Sequence, residues 1–529
     1  MNSFFHHRYV TLKEAANWAS QYKNRSVSVS NISYLIQYGR ITKHGINGSI
    51  LVDIKELKKY YDLNDNELNW KKKIGDDLNW NLSFAEYKES ERTKHVHRIH
   101  PYKGKFIPQL VEYFIDSHTD KYKNDVFFHS QDIILDPFCG SGTTLVQANE
   151  LGINAIGIDI SAFNALISNI KIKKHDIGTL KTVIDKITNN LKLFQSDKSN
   201  LLFEEELLNE LSHFNNQYFP SPEFKKKIRA GEVDEMKYSK EKEKEFELVY
   251  NCLINKYKIP SNAGSSTNFL DKWFTATVRK EIDFIFNEIK KVSNSDIKKI
   301  LAIVLSRTIR SCRATTHADL ATLKEPVLKT YYCKKHSKIC KPIFSILNWW
   351  LRYTKDTLKR FQEFDRLRTD TFQICLTGDS RSINIIEKIY GINKEFGDLL
   401  KDKKVKGIFS SPPYVGLIDY HEQHAYSYEL FGFERQDELE IGPLSKGQGK
   451  KARENYTIGI ADTLINCKKF LKSDYDIFLV ANDKYNLYPK IAELSNMKII
   501  NKYLRPVLNR VEKDRSNTYS EIIFHLKEK

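Results

Sequence analysis

The sequence predicts an α/β protein: a doubly wound, Rossmann-like sheet interrupted by a helical insertion and preceded by a small N-terminal module. Three observations carry that prediction. Residues 131–161 read strand, Gly-rich turn, helix, strand, the opening unit of such a sheet. Helical periodicity then dominates roughly 171–370, in LLFEEELLNELSHF, FLDKWFTATVRKEIDFIFNEIKKV and DIKKILAIVLSRTI. The strand pattern returns in FQICLTGD at 372–379 and continues through VKGIFS, YDIFLVAND, NKYLRPVL and YSEIIFHLK. At 529 residues the chain has room for about three domains.

Composition narrows the partners. A net charge of +17 and a pI near 9.2 favour a polyanion such as nucleic acid. No apolar run approaches the roughly 20 residues of a membrane helix, and the start, MNSFFHHRYV, lacks the apolar core of a secretory signal. The expectation is a cytoplasmic protein without membrane contact. Seven cysteines, at 139, 252, 312, 333, 340, 375 and 467, are scattered and odd in number, which is no disulfide framework. CKKHSKIC gathers Cys333, His336 and Cys340, and Cys312 or His317 would complete a zinc set. The spacing matches none of the usual finger patterns, so buried thiols are expected there and no metal is assigned.

The first element, residues 1–65, reads as a module of its own. Thr11 and Glu14 have capping-box spacing ahead of an apolar face of Ala15, Ala16 and Trp18. A second short helix, NISYLIQYGRI, closes at Gly39. A Gly-bracketed turn, HGINGSILV, leads to a third helix with Asp53 and Glu56 again in capping-box spacing. Helix, turn, helix, wing, helix resembles the winged helix-turn-helix modules of small DNA-binding regulators. That resemblance implies that Asn31, Ser33, Tyr34 and Gln37, on the exposed side of the second helix, face a DNA groove. A helical docking module is the alternative. Residues 66–95 are charged and weakly patterned, and read as a linker containing a helix.

The informative segment is IILDPFCGSGTTLVQANELGINAIGIDIS. A buried strand ends in Asp136, the chain turns through Gly140 and Gly142, a helix starts at Thr143 or Thr144, and a second strand ends at Asp159. Ligands of doubly wound sheets bind outside the carboxyl ends of the strands. Glycines there admit a ligand to the backbone, and a strand-terminal acid has the position and charge to accept hydrogen bonds from ribose hydroxyls. The three glycines of a dinucleotide turn are missing, so the pattern is a nucleoside site with no demand for pyrophosphate.

Further on, GIFSSPPYVGL leaves a strand through two prolines, which can continue neither strand nor helix. Such a stiff turn can present the Ser411 hydroxyl and the Pro412 carbonyl as acceptors, with the Tyr414 ring beside them. Together these segments resemble the S-adenosylmethionine-dependent DNA amino-methyltransferases, which act on N4 of cytosine or N6 of adenine. Asp136, Phe138, Gly140 and Gly142 match the family's D-x-F-x-G-x-G element, and HPYKGKFIPQL matches the segment that precedes it. The resemblance implies that His100, Tyr102, Lys105 and Phe106 lie near the methionine part of the cofactor. It places Asp136, Pro137, Phe138, Gly140, Ser141, Gly142, Thr143 and Thr144 along the turn, Asp159 with Ile160 at the ribose, and Asp379 near the adenine. Ser411, Pro412, Pro413 and Tyr414 match the catalytic tetrapeptide. On this reading 96–170 is the cofactor half of the core, 371–529 the catalytic half, and 171–370 a candidate for target recognition.

The implied reaction needs little from an ionisable base. An aromatic exocyclic amine is a poor nucleophile because its lone pair is delocalised. Hydrogen bonds to fixed acceptors encourage pyramidalisation and stabilise the charge that develops on nitrogen. Tyr414 would stack on a base extruded from the duplex. Serine at the first position of the tetrapeptide is commoner among the family's N4-cytosine members, so cytosine is the expected target and adenine the alternative. An RNA amino-methyltransferase or a non-catalytic DNA-binding regulator are more distant alternatives. The family association extends to a nucleoid location and a partner restriction nuclease. Further DNA contacts are expected from Arg310, Arg313, His317 and Lys324 around the polar stretch SCRATTHADLATLKEP, and from Lys446 and Lys450 in the Gly- and Lys-rich loop 441–455. His421 and His424, on an aromatic helix after the tetrapeptide, are candidates to face the pocket.

Overall fold

The structure, a computed structural model of the whole chain, describes residues 8–23, 26–45, 50–63, 71–72, 78–195, 198–260, 268–317, 319, 323–507 and 520–529. Its strands, in chain order, are β1 Tyr9–Thr11, β2 Leu51–Asp53, β3 Ile133–Asp136, β4 Asn154–Asp159, β5 Tyr331–Cys333, β6 Lys338–Cys340, β7 Gln373–Thr377, β8 Val405–Ser410, β9 Leu471–Ala481, β10 Met497–Pro506 and β11 Ser520–Glu528. The chain divides into two compact units. One comprises Met1–Lys72, Asn189–Asp283 and Ser311–Leu347, the other Lys73–Thr188, Phe284–Arg310 and Asn348–Lys529. Residues 171–370 are thus shared between the two.

In the first unit, β1 pairs antiparallel with β2, and Val10 lies opposite Val52. Thr11 caps the helix Leu12–Tyr22 and exchanges bonds with Glu14, as its spacing predicts. Ser28 and Asn31 form the same reciprocal pair at the start of Val29–Gln37. Ala15, Ala16, Ala19, Ile32, Ile36, Val52 and Leu57 bury one small core. The third helix, Ile54–Leu63, keeps half of the expected Asp53–Glu56 box: Asp53 accepts from the Glu56 N–H, but the Glu56 carboxylate is turned to Thr42. Asp53 accepts from the Lys55 N–H at 2.8 Å, whereas Glu56 accepts from the Thr42 N–H at 2.9 Å and its hydroxyl at 3.0 Å. Donors on Thr42, from another segment, take the Glu56 carboxylate. Of the turn before β2, residues 46–49 lie outside the described residues. Further along, the helices Lys198–Tyr218 and Glu235–Tyr257 pack through Phe203, Leu207, Phe246 and Tyr250 into a second core.

The second unit is built on a seven-stranded sheet of order β10-β11-β9-β8-β3-β4-β7. β3 pairs in parallel with β4 and β8, β4 with β7, and β8 with β9, while β11 runs antiparallel between β9 and β10. β3 and β4 are buried along their whole length, as parallel strands covered on both faces must be. From β3 the chain passes to β4 and β7 on one side, then returns to β8 on the other. That reversal opens a crevice at the carboxyl ends of β3 and β8. Leu135, Ile156 and Ile408 stand in register across the three central strands and enter a large core with Ile477, Leu479, Ile460 and Leu464.

Two stretches are more ordered than their composition suggests. Leu78, Leu82 and Phe84, in the charged segment before residue 95, are buried. Arg505 on β10 donates to the Leu82 carbonyl at 3.1 Å. The Lys-rich loop from 441 is helical from Lys450, because Gly449 caps a helix that runs to Lys468. No described helix is long and apolar enough to cross a membrane.

Candidate functional site

A cleft of about 840 Å³, counted with its open mouth, lies at the carboxyl ends of β3, β4, β7 and β8. The turn after β3 supplies Pro137, Phe138, Cys139, Gly140, Ser141 and Thr143, and β4 ends in Asp159 and Ile160. Gly378, Asp379 and Ser380 follow β7, and Ser411 and Pro413 follow β8. Two glycines shape the turn. Gly140 has φ +54°, and a Cβ there would sit 3.0 Å from the Tyr102 ring. Gly142, at φ +76°, leads into the helix Thr143–Glu150, and its Cβ would meet Ser168 Oγ at 2.9 Å. Any side chain at either position is strained by backbone and by space alike.

Asp136 does not reach the cleft. It is buried, and its Oδ1 accepts from the Ser410 hydroxyl at 2.5 Å and from the Phe138 N–H at 3.2 Å. Burial pushes its carboxyl up to about 6, against the opposing pull of those bonds. This bond between the ends of β3 and β8 fixes the residue that immediately precedes Ser411.

Ser411 donates its hydroxyl proton to the Val480 carbonyl at 3.2 Å. A serine hydroxyl has a single proton, so its oxygen can only accept from any further partner in the cleft. Pro412 is buried and, like Tyr414, does not line the cleft. The Tyr414 hydroxyl donates to Glu521 Oε1 at 2.9 Å, and Arg505 donates to the other oxygen at 3.1 Å.

Among the described residues, the hydrogen-bond donors that hold Asp159 are neutral. Oδ2 accepts from the Gly140 N–H at 2.8 Å, and Oδ1 from the Ser161 N–H at 2.9 Å and the Asn164 amide at 3.1 Å. Burial again dominates and lifts its carboxyl to about 6. Asp379 is half-buried. Desolvation works against its ionisation, but Arg381, donating to Oδ1 at 2.9 Å and to Oδ2 at 2.7 Å, holds the carboxyl below its usual value.

The segment HPYKGKF closes one wall with Tyr102, Gly104, Lys105 and Phe106. Lys105 donates to the His97 carbonyl at 2.7 Å, and burial lowers its pKa to about 8. His100 lies behind that wall, fully buried. Its Nε2 is 2.8 Å from Ser306 Oγ, and burial keeps the ring well below the usual histidine range, hence neutral. Gly142 and Thr144 also stay off the surface of the cleft, where helix packing buries them. His421 and His424 are buried and do not line it either; Nδ1 of His421 contacts Glu440.

Sequence reasoning missed Asn164, Ser380, Tyr420 and the run Leu439, Glu440 and Ile441. Glu440 is buried at the cleft, accepting from the His421 N–H at 2.8 Å. Asn164, one turn into the helix after Asp159, was the most accessible of these, since Ser161 caps that helix. Nothing local marks 439–441.

The residues expected to meet DNA are placed as follows. Asn31, Ser33, Tyr34 and Gln37 are all exposed on Val29–Gln37, although the Asn31 amide oxygen is occupied by Ser28. Arg313 is buried, and His317 sits beside Cys333. Lys324 is exposed and pairs with Asp319 at 3.1 Å. In the second unit, Arg310 is half-buried, and Lys446 and Lys450 are exposed.

A family model for N6 and N4 methyltransferases, described as DNA methylase, matches residues 1–170. The chain is 47% identical over 523 residues to Type II methyltransferase M.MjaII of Methanocaldococcus jannaschii, covering 98% of this chain and 96% of that protein. Type II methyltransferase M.BsoBI of Geobacillus stearothermophilus is 27% identical over 239 residues, 42% of this chain and 44% of its own. Type II methyltransferase M.MvaI of Kocuria varians is 27% identical over 130 residues, 25% and 27% of the two chains.

Proposed function

The chain belongs to the N4/N6 family of S-adenosyl-L-methionine-dependent amino-methyltransferases, and on that premise we propose that it methylates the exocyclic N4 amine of cytosine in duplex DNA. The observation that carries this reading is Ser411, an oxygen at the end of β8 whose proton is committed to Val480 and whose lone pairs remain for a donor in the cleft. A planar amine is such a donor.

The cleft suits the methyl donor. Phe106 and Phe138 offer apolar faces, Asp159 a carboxylate for ribose hydroxyls, and Asp379 a carboxylate at the end assigned to adenine. Tyr102 and Lys105 stand at the methionine end. When bound, S-adenosylmethionine supplies an electrophilic methyl group. Ser411 Oγ accepts from the target amine, favours its pyramidal form and stabilises the positive charge that grows on nitrogen; the Pro412 carbonyl, outside the cofactor cleft, is assigned to the same amine by the match to the tetrapeptide alone. The proton leaves after nitrogen is alkylated, so no strong base precedes attack. The Tyr414 ring, anchored by Glu521 beside the cofactor cleft rather than in it, is assigned to stack on the extruded base by its match to the tetrapeptide. Extruding that base from the duplex costs on the order of a few kcal/mol.

The net charge of +17 supports a grip on phosphates. The N-terminal module, read as a winged helix-turn-helix, is assigned to the duplex through Ser33, Tyr34 and Gln37. Asn31 serves its helix cap instead. Lys446 and Lys450 are assigned to the backbone. The Type II names of the relatives support a place as the modification arm of a restriction-modification pair.

The test is product identity. Purified protein, labelled S-adenosylmethionine and mixed-sequence DNA are incubated, and the digested nucleosides are identified by mass spectrometry. N4-methylcytosine is expected. N6-methyladenine would keep the mechanism and overturn the base assignment, and methyl transfer to RNA alone would overturn the substrate. Ser411→Ala is expected to lower kcat by about 10²–10³, the range for loss of one fixed electrostatic partner, with S-adenosylmethionine affinity unchanged by calorimetry.

A further inference from the structure

The motif CKKHSKIC forms an antiparallel hairpin, β5 and β6, in which Tyr331 faces Cys340 and Cys333 faces Lys338. Its two faces differ. Tyr332 and Ile339 turn into the helical core, where the Asn215 amide also brackets Ile339, accepting from its N–H at 2.9 Å and donating to its carbonyl at 3.0 Å. The opposite face carries Tyr331, Cys333 and Cys340, and among the described residues Val327 is the hydrophobic side chain packed against them. Strands of three residues are marginal without further support.

On that weaker face, two thiols and two imidazoles converge. Ligand atoms of His317, Cys333, His336 and Cys340 all lie within 4.8 Å of one another. His336 Nδ1 is 3.5 Å from Cys333 Sγ and 3.6 Å from Cys340 Sγ, and His317 Nδ1 is 3.7 Å from Cys333 Sγ. A tetrahedral zinc ion with bonds of about 2.3 Å to sulfur and about 2.0 Å to nitrogen sets neighbouring sulfur and nitrogen about 3.5 Å apart. The three separations are those of a tetrahedron's edges. Packing of buried thiols alone gives no reason for two imidazole nitrogens to converge on them within 4.8 Å.

We propose that His317, Cys333, His336 and Cys340 bind one Zn²⁺ ion that fastens the hairpin to the polar segment before it. Two nitrogen and two thiolate ligands in this geometry select zinc over harder cations. Four protein ligands close the coordination sphere, so the site is structural. Both thiols lose their protons to solvent on binding, and two thiolates leave the dication neutral overall. The Tyr331 hydroxyl, 2.8 Å from His317 Nδ1, yields that nitrogen to the ion. The spacing eluded finger patterns because one ligand lies upstream of the hairpin and the turn brings His336 between the two cysteines.

The test uses the full chain, purified from zinc-supplemented cells and dialysed. Elemental analysis is expected to find about one zinc per chain. Exchange for Co²⁺ is expected to give the intense visible bands of a tetrahedral ion together with near-ultraviolet thiolate charge transfer. Cys333→Ser with Cys340→Ser should abolish both, and His317→Ala should reduce retained zinc at least tenfold. Should the double variant misfold by circular dichroism, titrating folded wild type with a mercurial must release the zinc in step with two thiols. Folded wild type that holds no zinc and gives no tetrahedral Co²⁺ spectrum overturns the proposal, as does undiminished zinc in the double variant.

Discussion

The ends of β4 and β7 each bring an aspartate to the same cleft, and the two are held in opposite ways. Asp159 is enclosed by the Gly140 and Ser161 N–H groups and the Asn164 amide, with no cation among these donors, and burial raises its carboxyl to about 6. Asp379, half-buried, is clasped by Arg381 and held below its usual value. One carboxylate is preorganised by neutral dipoles at a desolvation cost, the other by a full charge nearer solvent. A strand-terminal acid is therefore not one kind of site. Its neighbours decide how strongly it is charged and how it will meet a ligand.

The largest expected effect is on stability, where Asp136 shares the environment of Asp159. Both carboxyls stand near 6 in the folded protein, above their ordinary value of about 4. A raised acid binds its proton more tightly when folded. Its contribution is thus fully present below about pH 4 and is lost as pH rises through about 6. Two units correspond to roughly 3 kcal/mol per acid. Asp136→Asn keeps the oxygen that accepts from Ser410. It is expected to match wild type in denaturant melts at pH 4 and to exceed it by about 3 kcal/mol at pH 7.5; equal curves at both pH values would break the comparison.

Next comes ligand affinity. Hydrogen bonds to a charged group contribute about 1.5–3 kcal/mol. Asp159→Ala is therefore expected to weaken S-adenosylmethionine binding by about 10- to 100-fold in calorimetry, and Asp379→Ala, whose charge Arg381 already offsets, by less than about tenfold. Reversed ranks would show that the clasped carboxylate is the one the ligand uses. Wild-type affinity should also fall as pH drops through 6, when Asp159 protonates.

The smallest effect sharpens the same contrast. Arg381→Gln frees Asp379 from its guanidinium and is expected to change affinity at pH 8 by no more than about threefold, the scale of a partly exposed pair. Its affinity should become more acid-sensitive than that of wild type in a titration from pH 8 to 5.

Much of this arrangement was legible beforehand. The strand ends at Asp136 and Asp159, the turn through Gly140 and Gly142, and the proline exit at Ser411 follow from local periodicity and turn chemistry, and they fall in the structure where they were expected. His100 reads as a site residue because it lies in the right segment, yet it points to Ser306, 206 positions away in the chain. Glu440 was invisible because its place depends on the chain doubling back to His421.

The sequence by itself determined which residues end strands, which backbone positions need glycine, and in what order the acids and the serine occur, since these depend on neighbours within a few positions. The tertiary structure alone decided which of those side chains face the cleft, which acid meets an arginine and which only amides, and that His317 reaches the CKKHSKIC hairpin. Desolvation and coordination are set by whatever packs against a group, and in this chain those partners come from segments far apart in sequence.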